Sequence, residues 1–210
     1  VLLFGGGGSF GSSDDTWAWD GQRWALLIPA NSPSPRRYTP VVHDELRRRL
    51  VLFGGQVGTS VSSETWEWDG TTWLLRATPG PTPPGRWGHA LVWDAARQRT
   101  LLFSGVGAGY LSDLWEWNGL SWRELQPAVM PRRRLFGEFV YDPVRRVSVL
   151  FGGITNSGGS DEHLVDTWEW DGTSWTEKAA PFPAQYGSNS LAWDPVSRRV
   201  LLFRATAQTS

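Results

Sequence analysis

A tryptophan-rich phrase occurs four times along this chain of 210 residues and constrains its fold more than any other feature. The phrase has two tryptophans separated by one residue, then Asp-Gly or Asn-Gly, then a third tryptophan. Its copies are Thr16–Trp24, Thr65–Trp73, Leu114–Trp122 and Thr167–Trp175. They begin about 50 residues apart, a period typical of proteins built by repeating one supersecondary unit. We therefore expect one structural unit repeated along the chain.

Each repeat contains further segments that predict β-strands. A short apolar run closed by glycines, such as Val51–Gly55, is typical of a strand buried on both faces. An apolar segment ending in Asp precedes it, as in Val41–Asp44. The Trp-x-Trp pair predicts a third strand with both indoles on one face, and Asp-Gly predicts a hairpin into a fourth strand around the last tryptophan. With these strands named A to D, the chain reads B-C-D, three times A-B-C-D, and A-B.

A four-stranded antiparallel meander repeated at constant period predicts an all-β protein, a β-propeller of four-stranded blades with four full repeats and partial ends. The double glycine after strand B, the Glu-aromatic-Asp of strand C, the Trp opening strand D and an Arg before strand A resemble the kelch-repeat family. Ala18 and Tyr186 depart from this pattern. The matching residues are Glu67, Glu116 and Glu169 for the glutamate, and Arg36, Arg86 and Arg134 for the arginine.

The resemblance spans nearly the whole chain, so we treat residues 1–210 as one kelch-type domain. Its repeat phrases lie at 1–24, 36–73, 86–122, 134–175 and 186–204. Four tryptophan phrases and five B strands fit neither a four-blade nor a five-blade ring. The chain also opens with Val1 rather than methionine. We expect a fragment of a larger propeller or of a longer surface protein, or association through the incomplete end blades.

Two expectations concern the interior. Tryptophans that recur at fixed positions are expected to be buried between blades, namely Trp17, Trp19, Trp66, Trp68, Trp115, Trp117, Trp168 and Trp170. The glutamates between them point to the opposite face, where an unpaired carboxylate would be costly. We therefore expect Glu67, Glu116 and Glu169 to pair with arginines of an adjacent repeat, namely Arg36, Arg86 or Arg134.

Connection lengths predict where a ligand binds. The A–B and C–D connections keep a constant length, whereas the B–C and D–A connections vary, and in a meander the variable ones emerge at the same end. We call this end the variable-loop face and the other the constant face. Loops on a rigid scaffold commonly carry recognition, and the richest is Ile154–Asp166. The contact candidates on this face are Trp87, Tyr110, Asp161, Glu162 and His163.

Other chemistry receives less support. Asp161, Glu162, His163 and Asp166 could suggest a metal, but their spacing matches no known ligand motif, so we interpret them as a solvated polar loop and predict no metal or cofactor. Nine arginines in the A–B hairpins share the constant face with eight carboxylates, which favours an ion-paired rim over a nucleic-acid surface. No apolar run approaches the ~20 residues of a membrane helix, so no membrane insertion is expected.

These observations favour a non-catalytic binding module that presents its variable B–C and D–A loops to a protein or glycan ligand. The resemblance to kelch repeats most often implies protein–protein interaction. The alternatives are a propeller domain of an epimerase- or lyase-like enzyme and a structural part of a longer surface protein. Copper-radical oxidases of this architecture need a cysteine, and this chain has none. Glu138 is the one unusual charged residue inside a predicted A strand. The compartment stays open, with a secreted or cell-surface bacterial location favoured.

Overall fold

The computed structural model describes residues 1–8, 11–179 and 189–204, and these ranges form 21 β-strands and no helix. The first strands are β1 (Leu2–Phe4), β2 (Gly7–Gly8), β3 (Gly11–Ser12), β4 (Thr16–Trp19), β5 (Trp24–Leu27), β6 (Val41–Asp44) and β7 (Arg49–Phe53). There follow β8 (Gln56–Val57), β9 (Ser60–Val61), β10 (Thr65–Trp68), β11 (Trp73–Leu75), β12 (Ala90–Asp94), β13 (Arg99–Phe103) and β14 (Leu114–Trp117). The last are β15 (Trp122–Leu125), β16 (Glu138–Asp142), β17 (Val147–Ser157), β18 (Ser160–Trp170), β19 (Trp175–Lys178), β20 (Asn189–Asp194) and β21 (Arg199–Arg204).

The strands pair into five successive antiparallel sheets. Sheet I has the order β1-β4-β5, sheet II β6-β7-β10-β11, sheet III β12-β13-β14-β15, sheet IV β16-β17-β18-β19, and sheet V β20-β21. The pairs β2–β3 and β8–β9 are small separate hairpins. This order matches the predicted succession B-C-D, three times A-B-C-D, and A-B. Within the described residues three sheets have four strands, so the expectation of four full repeats is wrong. The part of the chain described here contains no helix that could cross a membrane.

Neighbouring sheets pack face to face, and the repeated apolar residues form the contacts. Phe4 of sheet I packs with Leu52, Trp68 and Trp73 of sheet II. Farther along, Phe53 of sheet II packs with sheet III, and Phe103 of sheet III packs with sheet IV. The A strands contact one another in the order β6, β12, β16, β20. Meander sheets stacked in chain order in this way fit a β-propeller-like fold.

The predicted burial of the repeated tryptophans is confirmed for five of the eight and is only partial for the three in sheets I and II. Trp68, Trp115, Trp117, Trp168 and Trp170 are at most 9% exposed. Trp17, Trp19 and Trp66 are only partly buried, and Trp24 of sheet I is 46% exposed. Within the described residues sheet I packs against sheet II alone, so its other face has no neighbouring sheet to cover it.

The expected partners of the strand-C glutamates are wrong. Buried Glu67 pairs with Arg47 at 2.5 Å and with Arg76 at 3.6 Å, both from its own sheet. It also accepts a hydrogen bond of 2.9 Å from Nε1 of Trp117 in sheet III. Glu116 pairs with Arg123, and Glu169 with Arg145 and Lys178. The A–B hairpin and strand D flank strand C within one sheet, so their side chains reach these glutamates first.

The interpretation of 154–166 as a loop is also wrong, because the segment continues the sheet. Strands β17 and β18 remain paired from Gly153–Leu164 out to Ser157–Ser160. A register shift between Phe151 and Gly153 marks where the added arm begins. Gly158 and Gly159 form the turn with φ of +63° and +93°, angles that glycine adopts without strain.

Candidate functional site

Before three of the A strands, β6, β12 and β16, a buried arginine connects neighbouring sheets. Arg36, Arg86 and Arg134 are at most 1% exposed. The carbonyl oxygen of Arg86 accepts a hydrogen bond of 2.8 Å from the amide of Gly55 in the preceding repeat. Its guanidinium binds both carboxylate oxygens of Asp113, at 2.6 and 2.7 Å, in its own repeat. This geometry fixes the backbone immediately before β12 and therefore the direction of the side chains that follow.

Arg36 and Arg134 repeat this arrangement with different acids. The guanidinium of Arg36 contacts Glu64 at 2.8 Å, and that of Arg134 contacts Asp166 at 2.8 and 2.9 Å. Each acid also accepts a bond from the indole two residues later, as Asp113 does from Trp115 at 2.7 Å. Partial desolvation acts to raise the pKa values of all three acids, but these hydrogen bonds and the guanidinium charges outweigh it and lower them. The acid two residues before the first phrase tryptophan is the partner that sequence reasoning missed.

Two residues after each of these arginines, the backbone adopts a left-handed conformation. The position holds Tyr38, Gly88 and Phe136, with φ of 58°, 63° and 53°. The Gly88 amide donates to the Tyr38 carbonyl and the Phe136 amide to the Gly88 carbonyl, both at 2.8 Å, so the three repeats are joined here. Glycine suits this conformation, whereas bulky residues adopt it at a cost. Two of three repeats nevertheless place an aromatic ring at the position.

The side chains of Tyr38, Trp87 and Phe136 form an aromatic cluster on the variable-loop face. The ring centroids lie 5.2 Å apart for Tyr38–Trp87, 5.6 Å for Tyr38–Phe136 and 5.9 Å for Trp87–Phe136. Tyr38 remains 45% exposed and Phe136 42% exposed, while Trp87 is partly buried. The candidate Trp87 thus lies beside two aromatic residues that sequence reasoning missed. Their position two residues after a repeated arginine is the signal that could have found them.

A cavity of about 370 Å³ opens beside this cluster, between the beginnings of the A strands. We call it the A-strand cavity. It is lined by Tyr38–Pro40, Gly88–Leu91 and Phe136–Phe139, which come from three successive repeats. Its size lies within the range of small-ligand pockets.

Glu138, a half-buried residue, is the acid among the described residues that line the A-strand cavity. Its carboxylate accepts a hydrogen bond of 3.3 Å from the amide of Leu191, in the neighbouring A strand β20. Burial raises the pKa of Glu138 above its ordinary value, and the Leu191 amide opposes this only in part. The carboxyl group is therefore held in surroundings that disfavour its charge.

His89 lines the same cavity with its ring packed edge-on against Phe53, at a centroid distance of 5.8 Å. Burial, followed by the charge of Arg86, lowers the pKa of His89 to about 3. The imidazole is thus neutral at physiological pH. Both ring nitrogens are enclosed and lack a hydrogen-bond partner, so His89 offers little to proton transfer.

The other contact candidates lie in or near the β17–β18 arm, which borders a second cleft. Arg132 holds the arm through two bonds to Glu162, of 2.7 and 2.8 Å. Asp161 accepts a bond of 3.2 Å from Asn156 across the arm. Burial and the Asp161 charge raise the pKa of Tyr110. The cleft has a volume of about 470 Å³ and is lined by Ser112, Met130–Arg133 and Thr155–Gly158.

The structure therefore divides the five predicted contact residues between two places. Asp161 and Glu162 belong to the arm and Tyr110 lies near enough to feel the Asp161 charge, whereas Trp87 belongs to the aromatic cluster. His163 lies opposite Ile154 in the arm and is partly buried. Among the described residues no group of three or more His, Asp or Glu side chains is placed to hold a metal ion.

The constant face carries the ion pairs that its mixed charges predicted. Arg47 binds Asp44 at 2.7 Å, Arg97 binds Asp94 at 2.8 Å, and Arg145 binds Asp142 at 2.7 Å. Each aspartate also accepts backbone bonds inside its A–B hairpin, as Asp142 does from the Arg145 amide at 3.0 Å. These charges hold the hairpins together. Tyr186, the residue that replaces the repeated arginine in the last repeat, lies outside the described residues.

Comparison with known proteins agrees with an all-β, propeller-like architecture. No family model and no curated protein matches the chain. The solved structure of a protein named YjhT matches it with a TM-score of 0.72 and 17% sequence identity, over 99% of this chain and 74% of YjhT. At that identity the likeness concerns the fold alone.

Proposed function

We propose that this chain is a kelch-type β-propeller domain that acts as a non-catalytic binding module, and that its variable-loop face receives a protein or glycan ligand. The single observation that carries the proposal is the aromatic cluster of Tyr38, Trp87 and Phe136. Half-exposed aromatic side chains beside a cavity are typical anchors of recognition surfaces. A secreted or cell-surface bacterial location is part of the same proposal.

Backbone strain supports a functional role for this cluster. Tyr38 and Phe136 adopt φ near +55°, where the equivalent residue of the intervening repeat is Gly88. A bulky residue in this conformation costs roughly 1–3 kcal/mol and commonly marks a ligand-contact site. Both residues are also more than 40% exposed, so packing in the core does not account for their presence.

An epimerase- or lyase-like enzyme is the alternative proposal. Such a site needs several ionisable groups that converge on one substrate. The described lining of the A-strand cavity supplies the Glu138 carboxyl and the enclosed, neutral imidazole of His89. That pair supports binding better than acid–base catalysis.

The test is a binding screen of the purified chain against a glycan array and a displayed peptide library. The variants Tyr38→Gly and Phe136→Gly remove the rings and leave a residue that suits the backbone. Leu120→Gly, at a 62% exposed position in a C–D turn of the constant face, is the control. We expect both aromatic variants to weaken every confirmed ligand by at least about tenfold, with Leu120→Gly unchanged.

The arm provides a second comparison on the same face. A variant with Asn156–Glu162 shortened to the length of the corresponding loop in the second repeat removes Asp161 and Glu162. If this shortened variant loses binding, the ligand also contacts the arm or the second cleft. The contrary result is a ligand that still binds after all of these changes and loses its binding when Arg48 or Arg146 is substituted. That result would place the binding site on the constant face and refute the proposal.

A further inference from the structure

Glu138 differs from the other shielded carboxylates of the described strands, because those carboxylates pair with an arginine and Glu138 does not. Where a carboxylate in a sheet or at its edge is shielded from solvent, an arginine pairs with it, as Arg47 does with Glu67 and Arg86 with Asp113. Glu116 and Glu169 follow the same rule. Glu138 is half-buried, and within the described residues it has the Leu191 amide as its hydrogen-bond donor and no cation within salt-bridge distance. A charge left in this state is destabilising unless something pairs with it.

The surroundings of Glu138 favour a positive charge. The described residues that line the A-strand cavity include no lysine or arginine, and Glu138 is the sole acid among them. The half-exposed aromatic residues Tyr38 and Phe136 also line the cavity. The face of an aromatic ring attracts cations through its quadrupole. A carboxylate and aromatic rings in one pocket therefore select for an ammonium or guanidinium group.

The charged groups near the cavity leave room for such a ligand. Arg37 stacks on Tyr38 with its guanidinium carbon 5.2 Å from the ring centroid, but it lines a neighbouring cavity formed with Gly6–Gly8. It is also held by a bond of 3.2 Å to Gln56. The imidazole of His89 is neutral. The stacked Arg37 shows that the Tyr38 ring accepts a cation in this protein.

We propose that the A-strand cavity receives a basic side chain of a protein partner, with the cation paired to Glu138 and packed against the aromatic rings. This inference rests on the proposed binding function and names the ligand chemistry of that site. Glu138 is then the specificity-determining residue, because it alone among the described lining residues supplies the matching charge. The mixed aromatic and carboxylate lining favours the long apolar stem and charged end of lysine or arginine.

The experiment uses small probes on the purified chain, followed by ligand-observed NMR titration. Butylammonium and propylguanidinium mimic the two basic side chains, and butanol and butyrate are the neutral and anionic counterparts. A glycine-flanked lysine peptide and its norleucine counterpart test the polypeptide context. The variant Glu138→Gln keeps the shape and removes the charge. Glu124→Gln, at an exposed position on β15, is the matched control.

We expect the wild type to bind each cation on the order of tenfold more tightly than its neutral counterpart. Glu138→Gln should lose that preference, and Glu124→Gln should keep it. The comparison among probes needs no variant, so it remains decisive if Glu138→Gln fails to fold.

Three results would overturn the inference: no cation binds the wild type, butanol or butyrate binds as tightly, or Glu138→Gln retains the preference. The proposed function is judged separately. If Tyr38→Gly and Phe136→Gly weaken a ligand from the screen while Glu138→Gln leaves it unchanged, the binding face stands and the cation assignment fails. If the aromatic variants also leave every ligand unchanged, the binding face itself is wrong.

Discussion

The indole Nε1 of Trp122 donates a hydrogen bond of 2.8 Å to the hydroxyl oxygen of Thr65, and both groups are buried between sheets II and III. The same bond joins Trp73 to Thr16 at 3.0 Å between sheets I and II. In the next repeat Leu114 occupies the threonine position, and Nε1 of Trp175 has no partner. The threonine that opens the repeated phrase is therefore an acceptor for the strand-D tryptophan of the following repeat.

The Thr65–Trp122 hydrogen bond predicts that removal of the Thr65 hydroxyl destabilises the protein. Thr65→Val keeps the volume but leaves the Trp122 Nε1 buried without a partner, so we expect a loss of about 1–3 kcal/mol in the free energy of unfolding. Thr100→Val is the control, because the hydroxyl of Thr100 is buried and already unpaired. Urea unfolding followed by circular dichroism measures both. Equal losses in the two variants would mean that the hydrogen bond contributes nothing.

The buried arginines predict a second difference in stability. Arg86→Met leaves Asp113 without its guanidinium partner, and breaking a buried ion pair typically costs about 3–5 kcal/mol. Arg123→Met, which removes an exposed guanidinium from Glu116 while Arg99 stays 3.9 Å from that carboxylate, is the matched change and should cost less than about 1 kcal/mol. Thermal and urea unfolding of the two proteins provide the comparison. A loss below 1 kcal/mol for Arg86→Met would contradict its role in joining the repeats.

The packing of sheets I and II predicts that truncation of Trp68 and truncation of Trp24 destabilise the protein to different extents. Trp68 is 6% exposed and lies in the core with Phe4 and Leu52, so Trp68→Ala should cost about 3–5 kcal/mol. Trp24 is 46% exposed, so Trp24→Ala should lower the free energy of unfolding clearly less. Denaturant unfolding of the two variants ranks them. A loss under about 1 kcal/mol for Trp68→Ala would show that the sheet assignment is wrong.

The raised pKa of Glu138 predicts a dependence of stability on pH. As the pH rises through the ordinary value of 4.5, the unfolded chain loses this proton before the native chain does, so the native state is progressively destabilised. Glu138→Gln lacks this term, so its stability relative to wild type should increase from pH 4 towards pH 7. Paired acids such as Asp113 are present in both proteins, so their contributions to the pH dependence cancel in the stability difference between Glu138→Gln and wild type.

This prediction is tested by measuring the melting temperatures of wild type, Glu138→Gln and Glu124→Gln across that pH range. The difference between Glu124→Gln and wild type should stay nearly constant, since Glu124 is exposed. A difference for Glu138→Gln that does not change with pH would show that the Glu138 carboxyl is well solvated. That outcome would also weaken its assignment as the charge that pairs with a ligand.

The four strand segments of each repeat and their order could be read from the amino-acid pattern, since each depends on local chemistry. The Asp69-Gly70 turn and the alternation of Trp66 and Trp68 both act within a few residues. The long arm was missed because the polar side chains of Asn156–Glu162 carry little apolar alternation, and pairing across Gly158 and Gly159 alone makes them strands.

Tertiary structure alone decided which charges pair and which side chains meet. Arg36 reaches Glu64 rather than a strand-C glutamate because the fold brings together residues 28 positions apart. Tyr38 and Phe136 converge with Trp87 only when three repeats stack and their left-handed residues join by backbone hydrogen bonds. A sequence pattern records which residues recur, whereas the distances among non-equivalent residues of different repeats depend on how the sheets are placed.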